Sequence, residues 1–468
     1  MIQNRLIPIF VAGLSSFALV AVGEGCSDDR ESWPSGEDAA DDATAPLDGE
    51  ALDVSSDALD AGTADAADVR DAAIVDIGSD VACDASPCAK AIASGVHHHC
   101  ALLDDGTVRC WGLNDRGQLG RASVDLDAGI PPVTGLTDAV AIAASGWSTC
   151  ALRGNGEIVC WGDNAAGQLQ IACDETGHTD AGPGAQCAGT IEYDTLVHDT
   201  PVTIALPAPA AGVRVVGDGV CAISADSKLT CWGGNASDNL TVGADCSICP
   251  PRRALAFTDG IGVRDIRSSG RQLYLSLALL EDGSLLSWGS LPAPQIGRLW
   301  SYAPDKPGLV TAVPAARSFA TFRQGGCATP ADGGVWCWGT TALGRDAANS
   351  LADDLPGPAF VPAGLVFSRV VTSGSVCARS TDGTLYGWGN NYYGELATST
   401  LQVGLPVRIE GLDGPAADVT MTGSDGDVAS TCALLMSGEV ECWGNNSYGE
   451  IGAPGPDRQY QPKKVVFE

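Results

Sequence analysis

From residue 100 to residue 112 apolar and polar positions alternate around a central Asp-Asp-Gly, reading Cys100-Ala-Leu-Leu-Asp-Asp-Gly-Thr-Val-Arg-Cys110-Trp-Gly. A period of two broken by a short turn predicts strand, turn, strand. With the turn at Asp104-Asp105-Gly106, Leu102 faces Val108, Ala101 faces Arg109 and Cys100 faces Cys110. A three-residue hairpin loop needs a left-handed residue at its end, which Gly106 supplies. The same slot holds Gly156, Gly283, Gly333, Gly383 and Gly438, and only Ser227 departs from it.

The hairpin recurs. Trp-Gly stands at Trp111, Trp161, Trp232, Trp288, Trp338, Trp388 and Trp443, at steps of 50, 71, 56, 50, 50 and 55 residues. Seven copies near one period mean a repeat architecture. After the hairpin comes a loop such as Asn114-Asp-Arg-Gly117-Gln-Leu-Gly120 or Asn391-Tyr-Tyr-Gly394-Glu-Leu, with further copies at Asn164 and Asn446. A strand near Pro132-Val133, Pro201-Val202 or Pro406-Val407 follows, then one like Ala139-Val-Ala-Ile-Ala-Ala-Ser-Gly146. Four short strands per unit make one blade of an all-β propeller.

Ser-Gly, a hairpin with Asp-Gly, then Trp-Gly-x-Asn and Gly-Gln-Leu-Gly together resemble the regulator-of-chromosome-condensation repeat family. The resemblance covers about Ala85 to Glu468 and implies a seven-bladed β-propeller. The first blade lacks a preceding Pro-containing strand, whereas Pro462-Lys-Lys-Val-Val-Phe-Glu468 supplies one at the other end. The expectation is therefore a ring closed by a C-terminal strand joining the first blade. Members of the family bind proteins of many kinds, so the fold does not fix the function.

Charge changes the functional picture. The net charge is −32, and binding to phosphate backbones needs a basic face, so nucleic acid is excluded as a partner. Half of that charge lies before the repeats: residues 27–84 carry 18 acidic side chains against Arg30 and Arg70. With few large apolar residues, this stretch reads as a disordered acidic tether. Before it, Arg5 and the apolar run Leu6 to Val22 read as a signal peptide over 1–26. Cys26, after Gly23-Glu24-Gly25, resembles a bacterial lipoprotein processing site, with Glu24 and Gly23 unusual there. Export to an outer membrane or cell surface by a lipid on Cys26, otherwise secretion, is the expected localisation.

Ten of the 18 cysteines form pairs of identical spacing: Cys100/Cys110, Cys150/Cys160, Cys221/Cys231, Cys327/Cys337 and Cys432/Cys442. Each pair is directly opposed in its hairpin, at a separation a disulfide spans. The fourth unit has Leu277 and Ser287 in these slots, and the sixth has Cys377 opposite Gly387. Three further pairs are local: Cys83/Cys88, Cys173/Cys187 and Cys246/Cys249. Zinc is the rival reading, but it wants clustered ligands converging on one tetrahedron. Disulfides fit an oxidising compartment.

Catalytic, cofactor and metal sites are expected to be absent. His97-His98-His99 is the best metal candidate, yet adjacent strand residues point to opposite faces. The Ser-Gly pairs at Ser145, Ser269 and Ser373 read as turns, and the repeated tryptophans read as packing between blades. What is left is an exported, monomeric, non-enzymatic recognition propeller whose partner is a protein or a glycan. Exposed aromatics on one rim, such as Tyr392, Tyr393 and Tyr448, suit a binding hot spot. Two alternatives stay open: a secreted enzyme inhibitor similar to a β-lactamase inhibitory relative, and guanine-nucleotide exchange as in the family's namesake.

Overall fold

The computed structural model describes residues 81–467 except 84–85, 123–128, 171–196, 236–239, 242–247, 254–261, 270–274, 290–295, 299–305, 323–324, 340–356, 359–363 and 424–428. The expected signal peptide, Cys26 and most of the acidic tether lie outside these residues, as do Cys173, Cys187 and Cys246.

Seven antiparallel sheets follow one another along the chain. The first is β1 (Ala89–Ser94), β2 (His98–Leu103) and β3 (Val108–Gly112); the second is β4 (Ala139–Ser145), β5 (Ser148–Arg153), β6 (Ile158–Asp163) and β7 (Val197–Thr203). The third is β8 (Gly212–Val216), β9 (Gly219–Ile223), β10 (Leu229–Gly234) and β11 (Ile248–Arg253). Then come β12 (Val263–Ser269), β13 (Leu275–Leu280), β14 (Leu285–Gly289) and β15 (Gly308–Leu309), and β16 (Ala316–Phe322), β17 (Gly325–Pro330), β18 (Trp336–Gly339) and β19 (Gly357–Pro358). The sixth is β20 (Phe367–Thr372), β21 (Ser375–Ser380), β22 (Leu385–Asn390) and β23 (Gln402–Arg408); the seventh is β24 (Ala416–Met421), β25 (Ser430–Leu435), β26 (Val440–Asn445) and β27 (Arg458–Lys464).

Each blade is contiguous in sequence and runs from the centre outward, and the first strands β1, β4, β8, β12, β16, β20 and β24 pack side by side into a ring. The hairpin register is the one the alternation predicts: Leu102 opposes Val108, Ala101 opposes Arg109 and Cys100 opposes Cys110. The turn slot is left-handed in all seven blades, with φ from 78° to 95° at the six glycines and 58° at Ser227.

The C-terminal strand does not join the first blade. β27 pairs with β26, in its own blade. Every Pro-containing strand closes the blade before it rather than opening the next one: β7 pairs with β6, and Pro132 bridges Arg109 of β3. The first blade lacks nothing, because its outer segment is the one at Pro132. Reading the linking strand as the start of a unit shifted the repeat phase by one strand.

There is no single core. Seven apolar clusters each fill the space between two neighbouring blades, and each contains one repeat tryptophan. All seven tryptophans are fully buried. The seam between last and first blades follows the same rule, with Trp111 among Leu434, Val440, Ile451, Val465 and Phe467. Val81 is buried there as well, and the Ala82 amide donates to the Met436 carbonyl (2.8 Å), so packed chain already exists at residue 81.

Candidate functional site

The tryptophans do more than fill space. The indole N–H of Trp161 donates to the Gln118 carbonyl (2.9 Å), that of Trp232 to Gln168 (2.8 Å), that of Trp443 to Glu395 (2.8 Å) and that of Trp111 to Glu450 (2.8 Å). Each acceptor lies in the Asn-x-x-Gly-Gln/Glu-Leu loop of the preceding blade. The loops are thereby pinned to the next blade, and their conformation follows from two side chains. The Asn oxygen accepts the amide five residues on, as Asn391 does from Leu396 (2.8 Å) and Asn446 from Ile451 (3.2 Å). The Gln or Glu side chain accepts the amide two residues back, Gln118 from Arg116 (2.8 Å), Glu395 from Tyr393 (2.9 Å) and Glu450 from Tyr448 (2.8 Å). With both polar ends turned inward, the residues between Asn and Gly project to solvent.

In blade six both of those residues are aromatic, Tyr392 and Tyr393, and in blade seven Tyr448 is. Tyr392 is 52% exposed and Tyr448 47% exposed, while Tyr393 lies under the Arg458 guanidinium at 5.5 Å. These loops leave the third strand at the end where the turn between the first two strands also emerges, because the strands are antiparallel. That turn carries His97 in the first blade and Trp147 in the second. The His97 ring lies 5.4 Å from Tyr448 and 5.3 Å from Trp147. An aromatic arc thus runs over one face from blade six through blade seven and blade one to blade two. Beneath it, burial pushes the Glu395 carboxyl up to about 7 and raises that of Glu450.

The central tunnel has a cavity of about 590 Å³. Sequence reading found no convergent chemistry for it. Its lining nevertheless gathers Arg214, Arg264, Arg267, Arg317, Arg369 and Arg379 with Asp265 and Asp418. The signal was present at the inner-strand positions where blades one and two carry Ala91, Ala93, Ala141 and Ala143, because blades three, four, six and seven place Arg214, Asp265, Arg267, Arg369 and Asp418 at those levels. Among the described residues no group of three or more His, Cys, Asp or Glu side chains is gathered to hold a metal ion.

The sequence-predicted cysteines fall as follows. Cys100–Cys110, Cys150–Cys160, Cys221–Cys231, Cys327–Cys337 and Cys432–Cys442 are bridged, with Cα separations of 4.0 to 4.1 Å. Cys83 is bridged to Cys88. Cys377 is a buried free thiol opposite Gly387, and burial raises its pKa. Cys249 falls in β11, and its expected pairing with Cys246 lies outside the described residues.

Seven blades in a ring, four of them locked to the preceding blade by an indole-to-carbonyl bond, define a repeat propeller with a tunnel. Models of the regulator of chromosome condensation (RCC1) repeat match residues 89–118, 139–168 and 372–395, and a second model of that repeat matches 105–152. The fold is a seven-bladed β-propeller, and its repeats are similar to the RCC1 repeat. It is 28% identical over 256 residues to the human E3 ubiquitin-protein ligase HERC2, covering 52% of this chain but only 5% of that protein. The Arabidopsis thaliana ultraviolet-B receptor UVR8 is 23% identical over 376 residues, 77% of this chain and 78% of its own. A mouse secretion-regulating guanine nucleotide exchange factor is 30% identical over 258 residues, 51% of each chain. Among solved structures, human WBSCR16 superposes with a TM-score of 0.59 at 18% identity, covering 73% of this chain and 87% of that one.

Proposed function

We propose that this chain is a recognition propeller without catalytic activity, exported and held at a cell surface through Cys26. It captures a protein partner on the face bearing the aromatic arc. The observation that carries this reading is the exposure of Tyr392 and Tyr448 on loops whose backbones are pinned, with Tyr448 beside the His97–Trp147 pair. Rigid aromatic side chains lose little conformational freedom on binding and are enriched among hot spots. Disulfide-stapled hairpins support an oxidising compartment.

The test compares the full chain with its Tyr392→Ala/Trp147→Ala/Tyr448→Ala variant as affinity baits against surface proteins of the source cells. A partner retained by the parent and lost by the variant, at unchanged melting temperature, supports the reading. Equal retention by both refutes it. Mass spectrometry of the native protein is expected to find an acylated N-terminal Cys26. A second reading, nucleotide exchange, draws on the mouse relative alone, and a release assay with labelled guanine nucleotide on small GTPases tests it directly.

A further inference from the structure

We propose that the central tunnel binds a small multivalent anion, a compact molecule carrying several phosphate or carboxylate groups. The argument starts from a charge imbalance. On a chain of net charge −32, the titratable groups lining this one cavity are, among the described residues, six arginines against two aspartates.

The two carboxylates are already engaged. Asp265 accepts from Arg214 Nε, and its other oxygen accepts from Arg267 Nε (3.2 Å) and Nη2 (3.1 Å). Burial opposes the Asp265 charge, but Arg214 and Arg267 hold its carboxyl well below the usual carboxylate range. Asp418 lies 3.0 Å from Arg369 Nε, though without hydrogen-bond alignment. Arg379 is held by the Ala416 carbonyl (2.5 Å) and by Ser368 Oγ (2.9 Å).

Arg264 and Arg317 are left over. They occupy the same slot in adjacent blades, the extra residue of a one-residue bulge between Val263 and Asp265 and between Ala316 and Ser318. Among the described residues neither donates a hydrogen bond or enters an ion pair. Bulges re-aim a side chain, here into the tunnel. Arg264, half-buried, and Arg317, exposed at the rim of the cavity, add positive charge beside the paired arginines, and an anion relieves the resulting repulsion. The groups are all arginine, whose planar fork matches carboxylate and phosphate oxygens in pairs where an ammonium acts as a point charge. The acidic remainder of the chain repels long polyanions, and an enclosure of about 590 Å³ admits only a small one.

Calorimetric titration of the full chain with tripolyphosphate and, separately, citrate tests the site and distinguishes phosphate from carboxylate. One-to-one binding of either, weakening as salt is raised, is expected. Arg264→Gln/Arg317→Gln should lower the affinity by about tenfold or more, with the melting temperature of the anion-free protein kept. Arg408→Gln, outside the tunnel, should bind like the parent. Ligand-induced thermal stabilisation gives a second readout that should vanish in the same double variant. Failure of both anions to bind at millimolar concentration overturns the proposal. So does binding that the double variant leaves intact.

Discussion

His98 and His99 are neighbours on β2 yet hydrogen-bond in opposite directions around the ring. His98 Nε2 meets Thr149 Oγ1 of the second blade at 2.8 Å, and His99 Nε2 meets Ser430 Oγ of the seventh at 2.8 Å. Successive strand residues face opposite sides, so one dipeptide ties the first blade to both neighbours. The same alternation keeps the histidine triplet from converging on a metal.

Both imidazoles are buried, and burial first, then the neighbouring histidine, lowers each pKa to about 3. A depressed folded value means stability that is full above the unfolded pKa near 6.5 and is lost as pH falls from there toward 3. Each imidazole contributes a slope of at most about 1.4 kcal/mol per pH unit in that window. Glu395 works the other way: its raised pKa of about 7 favours the native state as pH falls from 7 toward 4.5. Comparison with a variant therefore isolates the histidines. Between pH 7 and pH 5, denaturant unfolding of the parent should lose on the order of 3 kcal/mol more than that of His98→Gln/His99→Gln. Parallel pH curves would remove this account.

Ser227 holds the left-handed turn slot that glycine fills in the other six blades, at φ 58°. A non-glycine residue there costs roughly 1–2 kcal/mol. Its hydroxyl recovers part of that through an exposed hydrogen bond to Glu281. Ser227→Gly should stabilise the fold by about 0.5–1 kcal/mol, seen as a higher denaturant midpoint at unchanged slope. A lower midpoint would mean the hydroxyl outweighs the strain.

Much of this architecture was legible because the repeat exposes each rule seven times. One hairpin with Gly106 and opposed cysteines sets the register, and the tryptophan spacing sets the blade count. The closing strand was misplaced because periodicity fixes the length of a repeat but not its starting point. A strand before Ala139 reads equally well as the end of one unit or the start of the next, and only pairing to β3 or β6 decides. The tunnel arginines stayed hidden for a different reason. Arg264 and Arg317 sit at bulges, where a single-residue slip breaks the period of two, and a charged residue on an inner strand reads as an exposed position until the ring makes it a wall.

Cys377 offers a measurement of what one cross-strand staple contributes. It lies directly opposite Gly387, and a Cβ there would come within 2.8 Å of the Leu396 Cδ2 atom and 3.4 Å of Ile409 Cδ1. These are flexible side-chain ends, so Gly387→Cys should bridge to Cys377 after Leu396 gives way. Gly387→Ala isolates that packing cost. The oxidised Cys variant should exceed the Ala variant by about 1–2 kcal/mol, less than the full chain-entropy value because the hairpin is partly formed when unfolded. Non-reducing peptide mapping should show the new bridge beside Cys100–Cys110 and its four counterparts. Free thiols in the repeat hairpins, released with bound zinc by a chelator, would overturn the disulfide reading.

The seam depends on the residues after β27 rather than on the strand itself. The Val465 amide donates to the Val440 carbonyl (2.8 Å), and Val465 and Phe467 are 2% and 8% exposed. The Phe467 ring lies 5.8 Å from the Trp111 ring across the boundary between last and first blades. Val465 also fits against Gly452, where an added Cβ would meet Val465 Cγ1 at 2.9 Å and Trp111 Cδ1 at 3.2 Å. Phe467→Ala should therefore cost about 2–3 kcal/mol, near the low end for a buried phenylalanine because the chain end can relax into the gap. Removal of residues 465–468 leaves β27 paired but uncovers Trp111, so its cost should exceed that of Phe467→Ala alone. Tryptophan fluorescence should shift to the red below the melting transition in the truncated chain. A truncation that melts with the parent, its emission unchanged, would show that Trp111 is held by the Glu450 carbonyl and its own blade, and that the tail contributes nothing to closing the ring.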